Sequence, residues 1–187
     1  GGWGREFNWE PLKWKLPIPP KVAEAMDRTQ KWSIMSAREA LMDYGYPGRP
    51  LDRERTAVII ANAMGGDTHL YTGARILFPE FTQELKAAPG FTSLEPDLRR
   101  AILEQFTERV RARFPDITED TMPGELANII AGRIAALWDF KGPNYVADAA
   151  CASTMAAMSA AVEGLVEGHY DAVICMYHDQ GLIPLKL

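Results

Sequence analysis

Cysteine is scarce in this sequence. The chain has 187 residues and only two cysteines, Cys151 and Cys175. Two thiols are too few for the disulfide framework of a small secreted domain, and they cannot form a zinc site on their own. This scarcity is typical of proteins from a reducing compartment, so we expect a cytoplasmic location.

Long apolar runs and clusters of one charge are also missing. No apolar run reaches the roughly 18 residues of a membrane-spanning helix. Lysine and arginine together number 20 against 25 aspartates and glutamates, and the basic residues around Arg109 alternate with Glu104 and Glu108. Such alternation is typical of a solvated helix face, so neither nucleic acid nor a membrane is an expected partner. Gly65 and Gly66 lack the spacing of a dinucleotide-binding loop, and no cofactor is predicted.

Apolar residues make up 47% of the chain, which is enough for the core of one domain. The run 56–61 is apolar and β-branched, which predicts a strand buried on both faces. Two further short strands are expected at 144–147 and 171–176. Spacing and composition predict helices over 22–44, 97–114, 125–137 and 153–167. This order of strands and helices indicates a layered α/β fold.

Three other segments carry structural expectations. Residues 1–20 are rich in tryptophan and proline, which predicts an irregular lead-in. Residues 67–96 carry mixed signals and are expected to form a surface excursion with short helices. The helix predicted over 153–167 has few charges and many small residues. We therefore expect neighbouring elements to cover it on most sides, in the middle of the layered domain.

Cys151 lies between a predicted strand and this helix, in the run Asp148-Ala149-Ala150-Cys151-Ala152-Ser153. The first amides of a helix and its dipole favour a thiolate at such a junction. The backbone amides of Cys151 and Ala152 are also expected to support the oxyanion formed when a thioester is attacked. The residues alone leave a second interpretation open, in which this cysteine is a packed side chain in a seam of small residues.

The run around Cys151, preceded by Gly142-Pro143-Asn144, resembles the active-site signature of β-ketoacyl synthases. Other segments resemble the same family in the same order along the chain, and they are most similar to the synthase domains of polyunsaturated fatty acid and polyketide synthases. These segments are 25–30, 62–66, 118–125 and 128–134. The resemblance covers roughly residues 10–174.

The resemblance implies a thiolase-like fold made of two similar halves, of which this chain holds the first without its initial strand. It implies that Cys151 is the nucleophile that accepts an acyl group for decarboxylative condensation. The partners would be an acyl carrier protein with a phosphopantetheine-bound acyl chain and, in the intact family, a second copy of the enzyme. The family's two catalytic histidines come from the second half, so we expect an internal fragment that transfers acyl groups without condensation.

The last residues resemble a different family. From Cys175 onward the sequence is similar to 4-hydroxythreonine-4-phosphate dehydrogenase, an NAD- and metal-dependent enzyme of pyridoxal phosphate synthesis. That resemblance implies that His178 is a metal ligand and that Lys186 contacts a phosphorylated substrate. No partner ligand for His178 is evident. We expect an inert, chimeric tail joined through the strand at 170–174, with a genuine divergent ending as the alternative.

These observations divide the chain into a lead-in at 1–20, a synthase half at 21–174 and a foreign tail at 175–187. His69 and His169 are interpreted as ordinary surface histidines. Three hypotheses follow for the function. The first is an acyltransferase fragment with Cys151 as its nucleophile, the second is a non-catalytic dimerisation or scaffold fragment, and the third is a fragment of the dehydrogenase.

Overall fold

The structure is a computed structural model that describes residues 9–63, 65–114 and 116–177, except for the side chain of Tyr177. Three strands in this part of the chain form one parallel sheet: β1 (Thr56–Ala61), β2 (Asn144–Ala147) and β3 (Ala172–Tyr177). The strand order is β2-β1-β3, so the first strand in sequence is the central one. All three strands predicted from the sequence are confirmed.

The central strand is buried along its whole length, as its apolar, β-branched run predicts. Val58 and Ile60 point to one face of the sheet, while Ala57, Ile59 and Ala61 point to the other. Ala61 is in register with Ala147 on one side and with the last residue of β3 on the other. The carboxyl ends of all three strands therefore meet at one edge of the sheet.

Helices occupy most of the remaining described chain. In order they are α1 (Pro20–Ala25), α2 (Arg28–Tyr44), α3 (Asp67–Ala87), α4 (Pro89–Thr92), α5 (Pro96–Arg113), α6 (Thr121–Glu125), α7 (Ile129–Trp138) and α8 (Ser153–Val166). Helices α2 and α7 cover the face of Val58 and Ile60, and α8 covers the opposite face. The three layers confirm the predicted α/β architecture.

The first predicted helix is in fact two helices. Asp27 lies between α1 and α2, where its carboxylate accepts a hydrogen bond from the Thr29 N–H at 2.7 Å and caps the second helix. Gly45 ends α2 in the left-handed conformation, with φ 96°, as the sequence predicts. The helix expected at 125–137 begins later, at Ile129, because the short α6 ends before it.

Short helices were predicted over 67–96; α4 is short, but the prediction is wrong for the first part of this range, because α3 is one helix of 21 residues. Pro79 lies inside it, where a proline normally disfavours a helix. Aromatic contacts with α5 and its C-terminal end stabilise α3 through packing. Phe78 lies 5.4 Å from Phe106, and Tyr71 lies 5.9 Å from Phe114, measured between ring centroids. Tertiary contacts thus override the local signal.

The prediction that α8 is covered on most sides is also wrong for this chain. One side of α8, with Ala157 and Ala161, packs on the sheet. The other side is exposed and apolar, with Met155 at 70% and Val166 at 81% of their full accessibility. No helix in the described part of the chain is long and apolar enough to cross a membrane.

Candidate active site at Cys151

Cys151 lies four residues after the end of β2 and two before the start of α8, at the carboxyl edge of the sheet. Its side chain is exposed, so the structure does not support the interpretation of a buried packing cysteine. Clefts at the carboxyl ends of parallel strands are the usual place for ligands in open α/β sheets. The sequence placed this residue correctly at a strand-to-helix turn.

A set of hydrogen bonds fixes the turn that carries Cys151. The Ser153 hydroxyl accepts from the Ala149 N–H at 2.8 Å and donates to the Ala150 carbonyl at 2.7 Å. Asp148 Oδ1 accepts from the Ala150 N–H at 2.9 Å. Ser153 is fully buried, so its hydroxyl depends on these partners. Hydrogen bonds therefore fix the backbone both before Cys151, at Ala149 and Ala150, and after it, at Ser153.

The residue before the cysteine has an unusual backbone. Ala150 has φ 49°, in the left-handed region that side-chain-bearing residues rarely adopt. Strained backbone of this kind occurs at the sharp strand-to-helix turn of the nucleophile elbow, where it exposes a reactive side chain. The sequence gives no signal of it, because alanine is not a residue that favours this conformation.

The amides near Cys151 are engaged to different degrees. The Ala152 N–H, one of the two oxyanion donors predicted from the sequence, donates to the Ala149 carbonyl at 3.0 Å. The Ser153 N–H donates to the Ala150 carbonyl at 3.1 Å. In the described part of the chain, no backbone oxygen accepts from the amides of Thr154 and Met155, as expected in the first turn of a helix.

The loop after β1 lies beside the Cys151 turn. The Asn62 N–H donates to the Ala147 carbonyl at 3.3 Å, which joins the ends of the two strands. The Asn62 side chain is buried, and its Oδ1 accepts from the Gly65 N–H at 2.7 Å. Gly65 adopts φ 67°, which glycine tolerates without strain. This loop leads directly into α3.

Next to this loop is a close contact between two side chains that sequence reasoning missed. His69 Nδ1 is 3.6 Å from Glu125 Oε1, and the Glu125 side chain is only 2% exposed. His69 itself is 67% exposed, which agrees with a surface histidine. The second predicted surface histidine, His169, is also exposed and lies 3.5 Å from Glu167.

Asp27, between α1 and α2, also contacts the start of α3. Besides Thr29, its carboxylate accepts from the Thr68 N–H at 2.9 Å, at the start of α3. Burial raises the pKa of Asp27, but the hydrogen bonds from Thr29 and Thr68 outweigh it and hold the pKa below its ordinary value. A Cβ on Gly66 would overlap the Asp27 carboxyl group, so only glycine fits there.

Cys175, the second cysteine, lies on β3 and is partly buried. Burial raises the pKa of this thiol, which disfavours the reactive thiolate. Within the described residues, no three His, Cys, Asp or Glu side chains are grouped to hold a metal ion. His178 and Lys186, predicted from the tail, lie outside the described residues.

Comparison with known proteins identifies a family. A family model described as "Beta-ketoacyl synthase, N-terminal domain" matches residues 13–177. A polyunsaturated fatty acid synthase from Thraustochytrium is 27% identical over 174 residues, which is 93% of this chain but 6% of that protein. The chain thus spans a small part of this relative.

A solved structure shows the same fold. It is a type II polyketide ketosynthase, determined in complex with its acyl carrier protein and bound to the hexaketide, with a TM-score of 0.58 at 14% identity. The match covers 95% of this chain and 41% of the ketosynthase chain. The predicted fold class, an incomplete thiolase-like α/β fold, is confirmed.

The second resemblance is confined to a short segment. The 4-hydroxythreonine-4-phosphate dehydrogenase of Geobacter metallireducens is 86% identical over 22 residues, which is 12% of this chain and 6% of that enzyme. So short a segment cannot form a substrate or cofactor site by itself, because such sites combine residues from several elements.

Proposed function

This chain belongs to the β-ketoacyl synthase family as part of its N-terminal domain, and we propose that it accepts an acyl group on Cys151. The observation that carries the proposal is an exposed thiol on a hydrogen-bonded strand-to-helix turn. The amides of the first turn of α8 are directed toward its N-terminal end, where they stabilise negative charge that develops on the substrate during acyl transfer. Cys175 lacks this setting.

The proposed reaction is the exchange of one thioester for another. The Cys151 thiolate attacks the carbonyl carbon of a carrier-bound acyl thioester, and a new carbon–sulfur bond forms. The bond to the carrier sulfur then breaks, and that sulfur takes up the proton that Cys151 lost. Atoms and charge balance without a metal or redox cofactor.

We assign the oxyanion of the tetrahedral intermediate to the backbone amides at the turn, as the sequence predicts for Cys151 and Ala152. The Cys151 amide is the better candidate of the two. The Ala152 N–H already donates to the Ala149 carbonyl and would have to leave that bond to serve. Preorganised donors are most effective when they need not reorganise.

The proposed partner is an acyl carrier protein that presents an acyl chain on phosphopantetheine. A structural neighbour is a ketosynthase solved in complex with an acyl carrier protein, which supports this assignment. We also propose that a second copy and the remaining synthase half cover the exposed side of α8 in an intact enzyme. The two free cysteines support a reducing, cytoplasmic setting.

Acyl transfer without condensation is the activity that we propose for this chain alone. Condensation in the family depends on two histidines from the second half, and this chain matches 41% of the ketosynthase chain. His69 is not proposed as a substitute: its ring lies beside Glu125 of α6, and among the described residues it makes no hydrogen bond to the Cys151 turn.

Mass spectrometry tests the proposal. After incubation of the folded chain with an acyl-pantetheine thioester or with cerulenin, we expect one adduct on a peptide that contains Cys151. The Cys151→Ala variant should lose the adduct, and the matched Cys175→Ala variant should retain it. Labelling at Cys175 instead, or no label on a folded sample, would refute the assignment.

A scaffold role is the second candidate, and the exposed apolar side of α8 favours it. It predicts that Cys151→Ala leaves every measurable property unchanged, including binding to an acyl carrier protein. For the tail, we propose that 175–187 is a foreign join and not a dehydrogenase site. Sequencing the DNA that flanks this frame tests the join, since a synthase continuing in another frame is the expected finding.

A further inference from the structure

Asp148 directly follows β2, three residues before the cysteine, and it is exposed to solvent. Its Oδ1 accepts a hydrogen bond from the Ala150 N–H at 2.9 Å. Within the described residues, no lysine, arginine or histidine forms an ion pair with this carboxylate. The bond to Ala150 is therefore the contact through which we expect Asp148 to act on the site.

The backbone of Ala150 is held on both sides of its α-carbon. On the amino side, its N–H is bound by Asp148. On the carboxyl side, its carbonyl accepts from the Ser153 hydroxyl at 2.7 Å and from the Ser153 N–H at 3.1 Å. These bonds together hold φ of Ala150 at 49°, although an alanine without them is more stable at negative φ.

The conformation of Ala150 determines how the Cys151 amide is oriented. The Ala150 carbonyl and the Cys151 N–H belong to one planar peptide group, so they can turn only together. A return of Ala150 to negative φ would rotate this group and move the Cys151 N–H from its present direction. That N–H is the better of the two oxyanion donors proposed above.

We propose that Asp148 is a positioning residue for acyl transfer, which keeps Ala150 left-handed and thereby holds the Cys151 N–H in place for the oxyanion. This inference rests on the proposed function of Cys151. The bond to Ala150 requires an acceptor oxygen and not a charge. Asparagine offers the same acceptor atom as aspartate, whereas alanine offers none.

Acylation kinetics on the full 187-residue chain test this role. Timed mass spectrometry at several concentrations of an acyl-pantetheine thioester gives the limiting rate and the half-saturating concentration. Asp148→Ala should lower the limiting rate at least tenfold and leave the half-saturating concentration within about twofold, because the oxyanion exists only during the reaction. Asp148→Asn should keep the rate within about threefold. Asp43→Ala, which removes an exposed aspartate on α2, is the matched control and should change neither quantity.

A second reagent separates this role from a general disturbance of the thiol. Iodoacetamide alkylates a thiolate by displacement of iodide and forms no oxyanion. Its reaction with Cys151 should therefore stay within about threefold in Asp148→Ala. Glycine adopts positive φ without strain, so the addition of Ala150→Gly to Asp148→Ala should restore part of the acylation rate, by about threefold or more.

Three results would overturn the positioning role and leave the proposed acyl transfer intact. They are an unchanged acylation rate in Asp148→Ala, an equal loss in Asp148→Asn, and a parallel loss of alkylation. If the folded, unmodified chain takes up no acyl group, the proposed function itself fails, and with it the role of Asp148 in acyl transfer.

The hold on Ala150 is measured independently by nuclear magnetic resonance. The nuclear Overhauser effect between the amide proton and the α-proton of one residue is strongest at positive φ, where these protons are closest. We expect it to be strong for Ala150 in the unmodified chain and in Asp148→Asn, and weak in Asp148→Ala. An equally strong effect in Asp148→Ala would show that Asp148 does not control this conformation.

Discussion

The hydroxyl of Ser153 holds two residues of the turn that carries Cys151. It accepts from the Ala149 N–H and donates to the Ala150 carbonyl, and it is completely buried while doing so. The cysteine two positions earlier is exposed. This buried support restricts the backbone that carries Cys151, as the proposed role of its sulfur as a nucleophile requires.

Replacement of this hydroxyl should harm both stability and reactivity. Ser153→Ala removes two hydrogen bonds, from the Ala149 N–H and to the Ala150 carbonyl, which we expect to lower the free energy of unfolding by about 1–3 kcal/mol. Acylation of Cys151 should slow at least tenfold, because the turn is less ordered. Urea titration and timed mass spectrometry measure the two effects.

Ser159→Ala is the matched control, since Ser159 lies exposed on the same helix. It should change neither quantity. If Ser153→Ala behaved like this control, the hydrogen bonds of the turn would have no part in the chemistry of Cys151.

Single residues also show what the sequence could and could not predict. The position of Cys151 at a strand-to-helix turn was predictable, because a strand and a helix flank it in the sequence; its role as nucleophile was implied by the family resemblance and stays a prediction. The pair of His69 and Glu125 was not predictable, because the two residues are far apart in sequence and meet only through the packing of α3 against α6. The bent backbone at Ala150 likewise had no compositional signal.

At the scale of elements, Asp27 joins three of them. Its side chain caps α2 and accepts from the start of α3, and its backbone N–H donates to the Gly124 carbonyl of α6 at 2.8 Å. The sequence predicted one continuous helix here, because the partners at Thr68 and Gly124 are remote. Strand β1 was predictable from its own residues, because a strand that is buried on both faces needs an apolar run.

Asp27 should make stability depend on pH in the acid range. Its folded pKa is lowered, so its contribution is complete above the unfolded value of roughly 4 and is lost as pH falls through the folded value. Asp27→Asn has no such titration, and its amide cannot accept from both Thr29 and Thr68 as the carboxylate does.

We expect Asp27→Asn to unfold more easily at pH 7, by about 1–3 kcal/mol. The difference from the unmodified chain should shrink as pH is lowered from 5 to 2. Denaturant titrations at several pH values measure this change. A difference that stays constant with pH would show that the carboxylate charge contributes nothing.

At the scale of the whole molecule, one helix carries a concentrated patch of exposed apolar side chains. The exposed side of α8 is apolar, and its large exposed residues are Met155, Met158, Val162, Leu165 and Val166. Apolar patches of this kind on a separate chain promote association with other molecules. The sheet also ends at β2 and β3 without further strands in the described part of the chain, which leaves edges able to pair.

Charged substitutions on the exposed side of α8 should therefore improve solubility without loss of fold. We expect Val162→Lys with Val166→Glu to reduce self-association at least severalfold in sedimentation velocity, with an unchanged circular dichroism spectrum. Ala161→Lys, on the buried side of the same helix, should instead unfold the chain. Equal association with and without the paired charges would place the associating surface elsewhere.

The central position of β1 has a consequence for how the chain is made. Its two neighbours are encoded far downstream, since Val58 pairs with Asn144 and Ile174. During synthesis on the ribosome, the apolar strand β1 emerges long before β2 and β3 have been made. Closing such long loops is slow, so the nascent chain depends on the helices that follow β1, or on a chaperone, to shield that segment until translation reaches β3.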